Sequence, residues 1–141
     1  MGTEKVKINK QLMKKILTLP LKKQWFEMTK AGIKKEEYGE INSYWFKRLV
    51  LDYKEVADYY SINPNDDSQI QGFCSVPFWR KTTAFIPFDY NLMLLDYPKL
   101  TDAEKIIKLE HKGIEIRTGN PEWGAEPDKL YFVIKHGKII K

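Results

Sequence analysis

The stretch EKIIKLEHKGIEIRTG, residues 104–119, alternates apolar and polar side chains but changes phase once. Ile107 and Leu109 occupy odd positions, whereas Ile116 occupies an even one. Because successive side chains of a strand point to opposite faces, this change requires one extra residue. The sequence therefore predicts a long strand with a β-bulge at Lys112–Gly113.

The first half of the chain alternates strand and helix patterns. Residues 14–20 have apolar side chains on both faces, which is typical of a central strand, and Pro20 is predicted to end it. Leu21, Trp25 and Met28 then recur at helical spacing, so they predict one core-facing stripe. A strand that ends at Pro20 and a helix that follows it are thus expected before residue 32.

Capping signals define the elements that follow. Gly32 is suited to the position just after the first helix, and Ser43 is predicted to cap a second helix. Strands are predicted at 33–41, 88–98 and 129–140, so strands dominate the second half. This order favours an α+β fold, with a small mixed β-barrel or curled sheet and flanking helices.

Residues 51–87 have no clear periodicity. A helix is predicted over 51–60, and the turn residues of 62–72 predict a loop. The stretch 72–90 is aromatic and interrupted by prolines, which favours irregular or edge β structure. The segment 51–87 is therefore interpreted as an insertion into a single domain spanning 14–141.

Composition limits the class of protein. The chain has 141 residues, 43% of them hydrophobic and 30% charged, which is typical of a globular domain. Residues 1–13 are expected to be a polar leader, and a cytoplasmic location without membrane contact is expected because neither a signal sequence nor a membrane span is recognisable. The net charge of +5 favours an anionic partner, but it is equally compatible with simple solubility.

The common catalytic and metal-binding motifs are absent from the sequence. It has no glycine-rich phosphate loop, and His111 and His136 fall in different predicted strands without a neighbouring cysteine. His111 is in phase with apolar residues, which favours a histidine satisfied within the fold. Cys74 lies in an aromatic stretch and is expected to be a buried small hydrophobe. No metal or cofactor is predicted.

Residues 19–49 resemble the ASCH domain family, a branch of the PUA-like fold that includes phage and bacterial members. The family signature is Gly-x-Lys-x-x-Glu-x-Arg, and the chain has Gly32, Lys34 and Glu37, with Gly39 at the arginine position. The tail at 112–140 is similar to the closing strands of that family. The resemblance extends over about residues 14–50 and 88–141, and it leaves out 51–87.

The resemblance implies a PUA-like barrel with a groove lined by the signature residues, and an RNA ligand. Some members of the family are hydrolases, either amidohydrolases acting on acetylated cytidine or ribonucleases. The amidohydrolases carry a lysine and a threonine in the motif; here Lys34 matches the lysine, whereas Glu37 stands at the threonine position. Gly39 removes the bidentate contact that the motif arginine would make.

Strand geometry limits how Lys34 and Glu37 can meet. Three residues apart on a regular strand, they would point to opposite faces. They converge if Lys34 lies in the turn after Gly32, or if a bulge intervenes. Three interpretations remain open for the pair: a charged lysine that holds an anion or carbonyl oxygen, a lysine base with a lowered pKa, and a purely structural ion pair.

The leading functional prediction is an RNA- or nucleotide-binding domain. Trp79, beside two basic residues, is interpreted as either a base-stacking or a core residue. A hydrolase that uses Lys34 and Glu37 is the first alternative. A protein-interaction domain that docks a partner through 51–87 is the second, and the oligomeric state is left open. The predicted ligand-binding residues are Lys22, Lys23, Lys34, Glu37, Arg48, Asn120 and Trp123.

Overall fold

A computed structural model describes residues 15–98 and 101–141. Its centre is a five-stranded sheet that curls into a half-barrel, with helices beside it. The mixed α+β class expected from the sequence is therefore confirmed. The strands are β1 (Ile16–Leu21), β2 (Glu36–Glu40), β3 (Tyr90–Leu95), β4 (Ile106–Thr118) and β5 (Leu130–Ile139). The helices are α1 (Lys23–Lys30), α2 (Ser43–Leu49), α3 (Tyr53–Tyr59), α4 (Asp67–Cys74) and α5 (Pro77–Thr82).

The strand order is β1-β3-β4-β5-β2, which places β1 and β2 at opposite edges of the sheet. The prediction that the first strand is central is therefore wrong. The strand also continues through Pro20 to Leu21 while pairing in parallel with β3. An edge strand tolerates proline because the missing N–H has no second strand to pair with. Only the face with Leu17 and Leu19 is deeply buried.

The bulge predicted in β4 is confirmed. The register of β4 against β5 shifts on both sides of His111, and Gly113 has a φ of +99°. Glycine adopts such a conformation without the steric cost that a Cβ imposes. The bend lets β4 pair with β3 through its first half and with β5 through its second half.

Helix α1 follows the predicted pattern with a small rotation. It begins at Lys23, and its buried residues are Phe26 and Thr29, whereas the predicted stripe residues Trp25 and Met28 are only half-buried. The buried face therefore lies one residue later than the predicted stripe, and Leu21 belongs to β1. Gly32 does follow the helix, with a φ of +76°.

The second helix is capped by Asn42 and not by Ser43. The Asn42 side chain accepts a hydrogen bond from Trp45 N at 3.0 Å. The Ser43 hydroxyl instead donates to the Pro64 carbonyl at 2.6 Å. Both residue types cap helices well, so a tertiary contact to a distant loop decided which of the two does so here.

The segment 51–87 is more helical than its sequence predicts. Helix α4 begins inside the predicted loop, because the Asp66 side chain accepts hydrogen bonds from the first backbone N–H groups of the helix. The stretch predicted to be irregular or β contains α5, and Phe85 adds an isolated bridge to Val50. Buried Ile70 and Phe73 join this segment to the main core.

The core lies between the concave face of the sheet and the helices. Phe132, Val133 and Ile134 are fully buried, so both faces of β5 are covered there, as their apolar character predicts. Cys74 is also buried, as expected, and burial raises the pKa of its thiol to about 12. Within residues 15–98 and 101–141, no helix has the length and apolar character needed to cross a bilayer.

Candidate functional site

A cleft of about 280 Å³ opens between the two edges of the curled sheet. We call it the seam cleft. Strand β1 forms one side, β2 forms the other, and α2 covers the gap between them. The edges of a half-barrel leave a concave surface that no neighbouring strand fills, so side chains there remain available for a ligand. The polar and aromatic lining residues are Glu37, Tyr38, Tyr44, Trp45, Arg48 and Tyr97.

Lys34 and Glu37 form a buried ion pair at the N-terminal end of β2. Lys34 Nζ lies 2.5 Å from Glu37 Oε2, and the two residues are 2% and 7% exposed. Lys34 precedes the strand and lies in the turn after Gly32, where its N–H donates to Met28 O at 3.2 Å. The pair therefore converges through the turn, which is the first of the two geometries that the spacing allows.

Aromatic rings and a tight turn exclude water from the lysine. Lys34 Nζ lies 5.1 Å from the ring centroid of Trp25 and 5.8 Å from that of Tyr38. Gly124 closes over Trp25 so tightly that a Cβ there would lie 2.8 Å from the indole. Lys34 consequently lies behind Glu37 and does not line the seam cleft itself.

Burial shifts the pair toward its uncharged forms. It lowers the pKa of Lys34, although the nearby Glu37 carboxylate opposes the change. It raises the pKa of Glu37, although Lys34 and the adjacent Thr29 hydroxyl oppose that change. Glu37 Oε1 is buried and has no hydrogen-bond partner among the described residues. A cleft-lining carboxyl group with a spare oxygen is equipped to bind a donor or to transfer a proton.

A separate network holds Tyr38, the residue of the β2 wall that follows Glu37. Arg117 binds both oxygens of Glu36, at 2.6 and 3.0 Å, and the Tyr38 hydroxyl donates to Glu36 at 2.7 Å. The backbone N–H of Asn120 donates in turn to the Tyr38 hydroxyl at 2.8 Å. Burial alone would raise the pKa of Glu36, but these partners lower it. Tyr38 is thereby held rigidly in the cleft wall.

His136 positions the backbone of Lys34. Its Nε2 lies 3.1 Å from the Lys34 carbonyl, so Nε2 carries the hydrogen and donates it. Burial lowers the pKa of His136 to about 4, which keeps the ring neutral near pH 7. His111 lies opposite it on β4, and its Nδ1 is 2.7 Å from Asn91 Oδ1, as expected of a histidine satisfied within the fold. The described residues contain no group of three His, Cys, Asp or Glu side chains able to hold a metal ion.

Trp45 occupies the space beside Gly39, where the ASCH signature has arginine. A Cβ at Gly39 would lie 2.9 Å from the Trp45 indole. A guanidinium nevertheless reaches the cleft from α2, because Arg48 lies 5.3 Å from the Trp45 ring centroid. It also donates to the Thr18 carbonyl of β1 and to the Tyr44 hydroxyl. Arg48 thus bridges β1 and α2 across the seam.

The remaining predicted site residues do not line the cleft. Lys22 and Lys23 are exposed and directly follow the cleft residue Leu21. Asn120 uses its side chain to accept from Glu122 N, so it serves the cleft only through its backbone contact with Tyr38. Trp123 is half-buried in the same turn.

Trp79 belongs to a different part of the molecule. Its ring centroid lies 3.9 Å from that of Tyr60 and 4.4 Å from that of Phe73. Of its two interpretations, core packing is the one that these contacts support.

Sequence reasoning missed most of the aromatic wall. Tyr44 and Trp45 precede Arg48 by four and three residues, and this helical spacing was the available signal. Arg117 and His136 gave no such signal, because they are more than 80 positions from their partners. Thr29 gave no signal either, because in the sequence it is an ordinary helix residue.

Comparison with known proteins identifies no relative of this chain: no protein-family model, curated protein or solved structure matches it. The resemblance to the ASCH family therefore stays a prediction from the signature and the tail.

Proposed function

We propose that the seam cleft binds a nucleobase, presented by RNA or by a nucleotide. The observation that carries this proposal is the buried Glu37 carboxyl group, which has an unpartnered oxygen and lies in a cleft walled by aromatic rings. Proteins bind unpaired bases by stacking them on aromatic side chains and by hydrogen bonding to their polar edges. Tyr38, Tyr44 and Trp45 supply aromatic surface, and Glu37 supplies the polar contact.

The basic residues around the cleft are suited to the phosphate that accompanies a base. Arg48 lines the cleft, while Lys22 and Lys23 are exposed beside the β1 wall. Such contacts attract a polynucleotide irrespective of sequence and weaken as salt concentration rises. The resemblance to the ASCH family points to the same class of ligand.

Glu37→Gln tests the proposal directly. The control is Glu40→Gln on the same strand, because Glu40 is exposed and pairs with Lys129 away from Glu37. We expect a mixed pool of short RNAs or single nucleotides to bind at fixed, near-physiological salt. Glu37→Gln should weaken binding by about tenfold, the scale of one charged hydrogen bond, and Glu40→Gln should leave it unchanged.

Arg48→Gln separates the base contact from the phosphate contact. This variant should weaken the binding of nucleotides more than that of the corresponding nucleosides. It should also reduce the dependence of affinity on salt. Absence of saturable binding by the unaltered protein, or equal losses in Glu37→Gln and Glu40→Gln, would contradict a base-binding cleft. Circular dichroism of each variant separates a lost contact from a lost fold.

The Lys34–Glu37 pair also favours a second candidate function, hydrolysis of a modified nucleoside or of RNA. A carboxyl group with a raised pKa in a cleft is suited to act as a general acid or base. Lys34 would act only through Glu37, because it does not line the cleft. Turnover of acetylated cytidine or of RNA that disappears in Lys34→Ala and Glu37→Gln would support this function. Base binding without turnover of either substrate would exclude it for them.

Docking of a protein partner by 51–87 stays a prediction. Tyr59 and Phe78 expose large aromatic surface there, at 78% and 65%. Deleting the segment would also remove Ile70 and Phe73 from the core, so only exposed residues are useful for a test.

A further inference from the structure

A second cavity, of about 550 Å³, lies between α5 and β4 and shares no lining residue with the seam cleft. We call it the α5–β4 cavity. Phe85, Ile114 and Ile116 form its apolar walls. Arg80 and Lys81 of α5 line it as well, so apolar walls and basic groups face the same space.

The Arg80 guanidinium has no partner among the residues that the structure describes. Arg80 is half-buried, and its Nε is completely buried without a hydrogen bond. No ion pair or side-chain hydrogen bond joins its guanidinium to any other residue that the structure describes. Withdrawing this N–H group from water without a compensating acceptor is costly, so buried donors are normally hydrogen-bonded. The missing acceptor is the first sign of a ligand.

The carboxylate that lines the cavity, Glu115, is already paired with two basic side chains. Glu115 Oε1 lies 2.6 Å from Arg117 Nε, and Glu115 Oε2 lies 3.8 Å from Lys135 Nζ. The hydrogen bond from Arg117 lowers the pKa of Glu115, which therefore stays ionised and neutralised by these two partners. The charges of Arg80 and Lys81 are consequently uncompensated within the cavity.

The polar group of Thr83 is also engaged. Its hydroxyl donates to the Trp79 carbonyl, and the Thr82 hydroxyl donates to Phe78 O at 2.8 Å. Both hydroxyls are therefore engaged by carbonyl groups of α5 itself. The cavity thus offers guanidinium and ammonium donors, and the carboxylate in its lining is already paired with Arg117 and Lys135.

We infer that the α5–β4 cavity binds a small organic oxyanion, a phosphomonoester or a carboxylate that carries a flat apolar group. The guanidinium fork matches two oxygens of either anion, and Lys81 adds a flexible second charge. The apolar part of the ligand would pack against Phe85, Ile114 and Ile116. This ligand is distinct from the base in the seam cleft, since the two cavities have different walls.

Methyl NMR of the full chain tests the inference, with phenyl phosphate and benzoate as the two probes and inorganic phosphate as a third. Ile114 and Ile116 line the cavity, so a bound aromatic ring should shift their methyl resonances in a saturable way. Tighter binding of phenyl phosphate would assign a phosphomonoester, and tighter binding of benzoate a carboxylate. Inorganic phosphate should bind more weakly than phenyl phosphate, because it lacks the apolar group.

Arg80→Gln should weaken binding of the tighter-binding probe by about tenfold. Arg80→Lys should weaken it severalfold, since lysine retains the charge and loses the bidentate geometry of the guanidinium. Lys54→Gln, an exposed lysine of α3 outside this cavity, is the matched control. Without ligand, Arg80→Gln should unfold at no lower denaturant concentration than the parent, because Arg80 has no partner to lose among the described residues. Absence of saturable shifts at Ile114 and Ile116, or equal weakening in Lys54→Gln, would overturn the inference.

Discussion

Glu36 and Glu37 are neighbours in sequence, and the protein uses them in opposite ways. Glu36 lies on the face of β2 where Arg117 binds both of its oxygens and Tyr38 adds a third hydrogen bond. Glu37 lies on the other face, with Lys34 as its ion-pair partner and one oxygen that no described residue hydrogen-bonds. The pKa of Glu36 is lowered by its partners, and that of Glu37 is raised by burial.

The difference separates a carboxylate that is fully bonded within the structure from one that keeps an unsatisfied oxygen among the described residues. A fully satisfied network rigidifies its members, and here it fixes Tyr38 in the cleft wall. An incompletely satisfied buried group costs stability and is found preferentially at functional sites. Within the charge block KKEE, Glu36 is therefore the structural carboxylate and Glu37 the candidate functional one, and the alternation of the strand separates them.

Among the variants that test this contrast, Lys34→Met should have the largest effect on the free energy of unfolding. It leaves the Glu37 carboxylate buried without a partner, so we expect a loss of about 3 to 5 kcal/mol in the free energy of unfolding. Lys34→Met/Glu37→Leu removes both charges and should recover a large part of that loss. Urea unfolding followed by circular dichroism measures both variants.

The matched control for that pair is Lys35→Met, because Lys35 is exposed beside it. It should change the free energy of unfolding by no more than about 0.5 kcal/mol, as is usual for surface positions. If Lys34→Met were equally mild, Glu37 would be well solvated, and its contrast with Glu36 would disappear.

Arg117→Met should have an intermediate effect. It removes both hydrogen bonds to Glu36, but the arginine side chain is 38% exposed, so water screens the pair and replaces part of the interaction. We expect a loss of about 1 to 2 kcal/mol in urea unfolding. Lys112→Met, which removes an exposed pair with a 3.6 Å contact to Glu110, is the control and should cost clearly less. Equal losses would mean that the Glu36 network is an ordinary surface pair.

The smallest and most specific difference should appear in the pH dependence of stability. The lowered pKa of Glu36 means that its contribution is present above the usual carboxyl pKa of 4.5 and is lost as pH falls through the folded-state value. The raised pKa of Glu37 has the opposite sign, so its contribution is present below 4.5 and is lost as pH rises through the folded-state value.

Glu36→Gln should therefore flatten the acid limb of the profile, and Glu37→Gln should flatten the decline above the usual carboxyl pKa. Urea unfolding at a series of pH values on both sides of 4.5 measures the two slopes. Slopes that change in the same direction in the two variants would show that the neighbours do not differ.

Local sequence predicted the features that depend on neighbouring residues. The phase change around Gly113 predicted the bulge, and Gly32 predicted the end of α1 and the turn that holds Lys34. Prediction from local sequence failed where a distant part of the chain decided the local structure. The apolar faces of β1 did not reveal an edge strand, and the turn-rich 62–72 stretch did not reveal the start of α4.

The sequence by itself determined that Glu36 and Glu37 face opposite ways, because alternation along a strand is a property of the backbone. Only the tertiary structure decided that Glu36 meets Arg117, 81 positions away, while Glu37 meets a cleft. It also decided that the buried Nε of Arg80 meets no acceptor among the described residues. The direction of a side chain follows from local geometry, whereas its partners, burial and pKa depend on which distant segments the fold brings beside it.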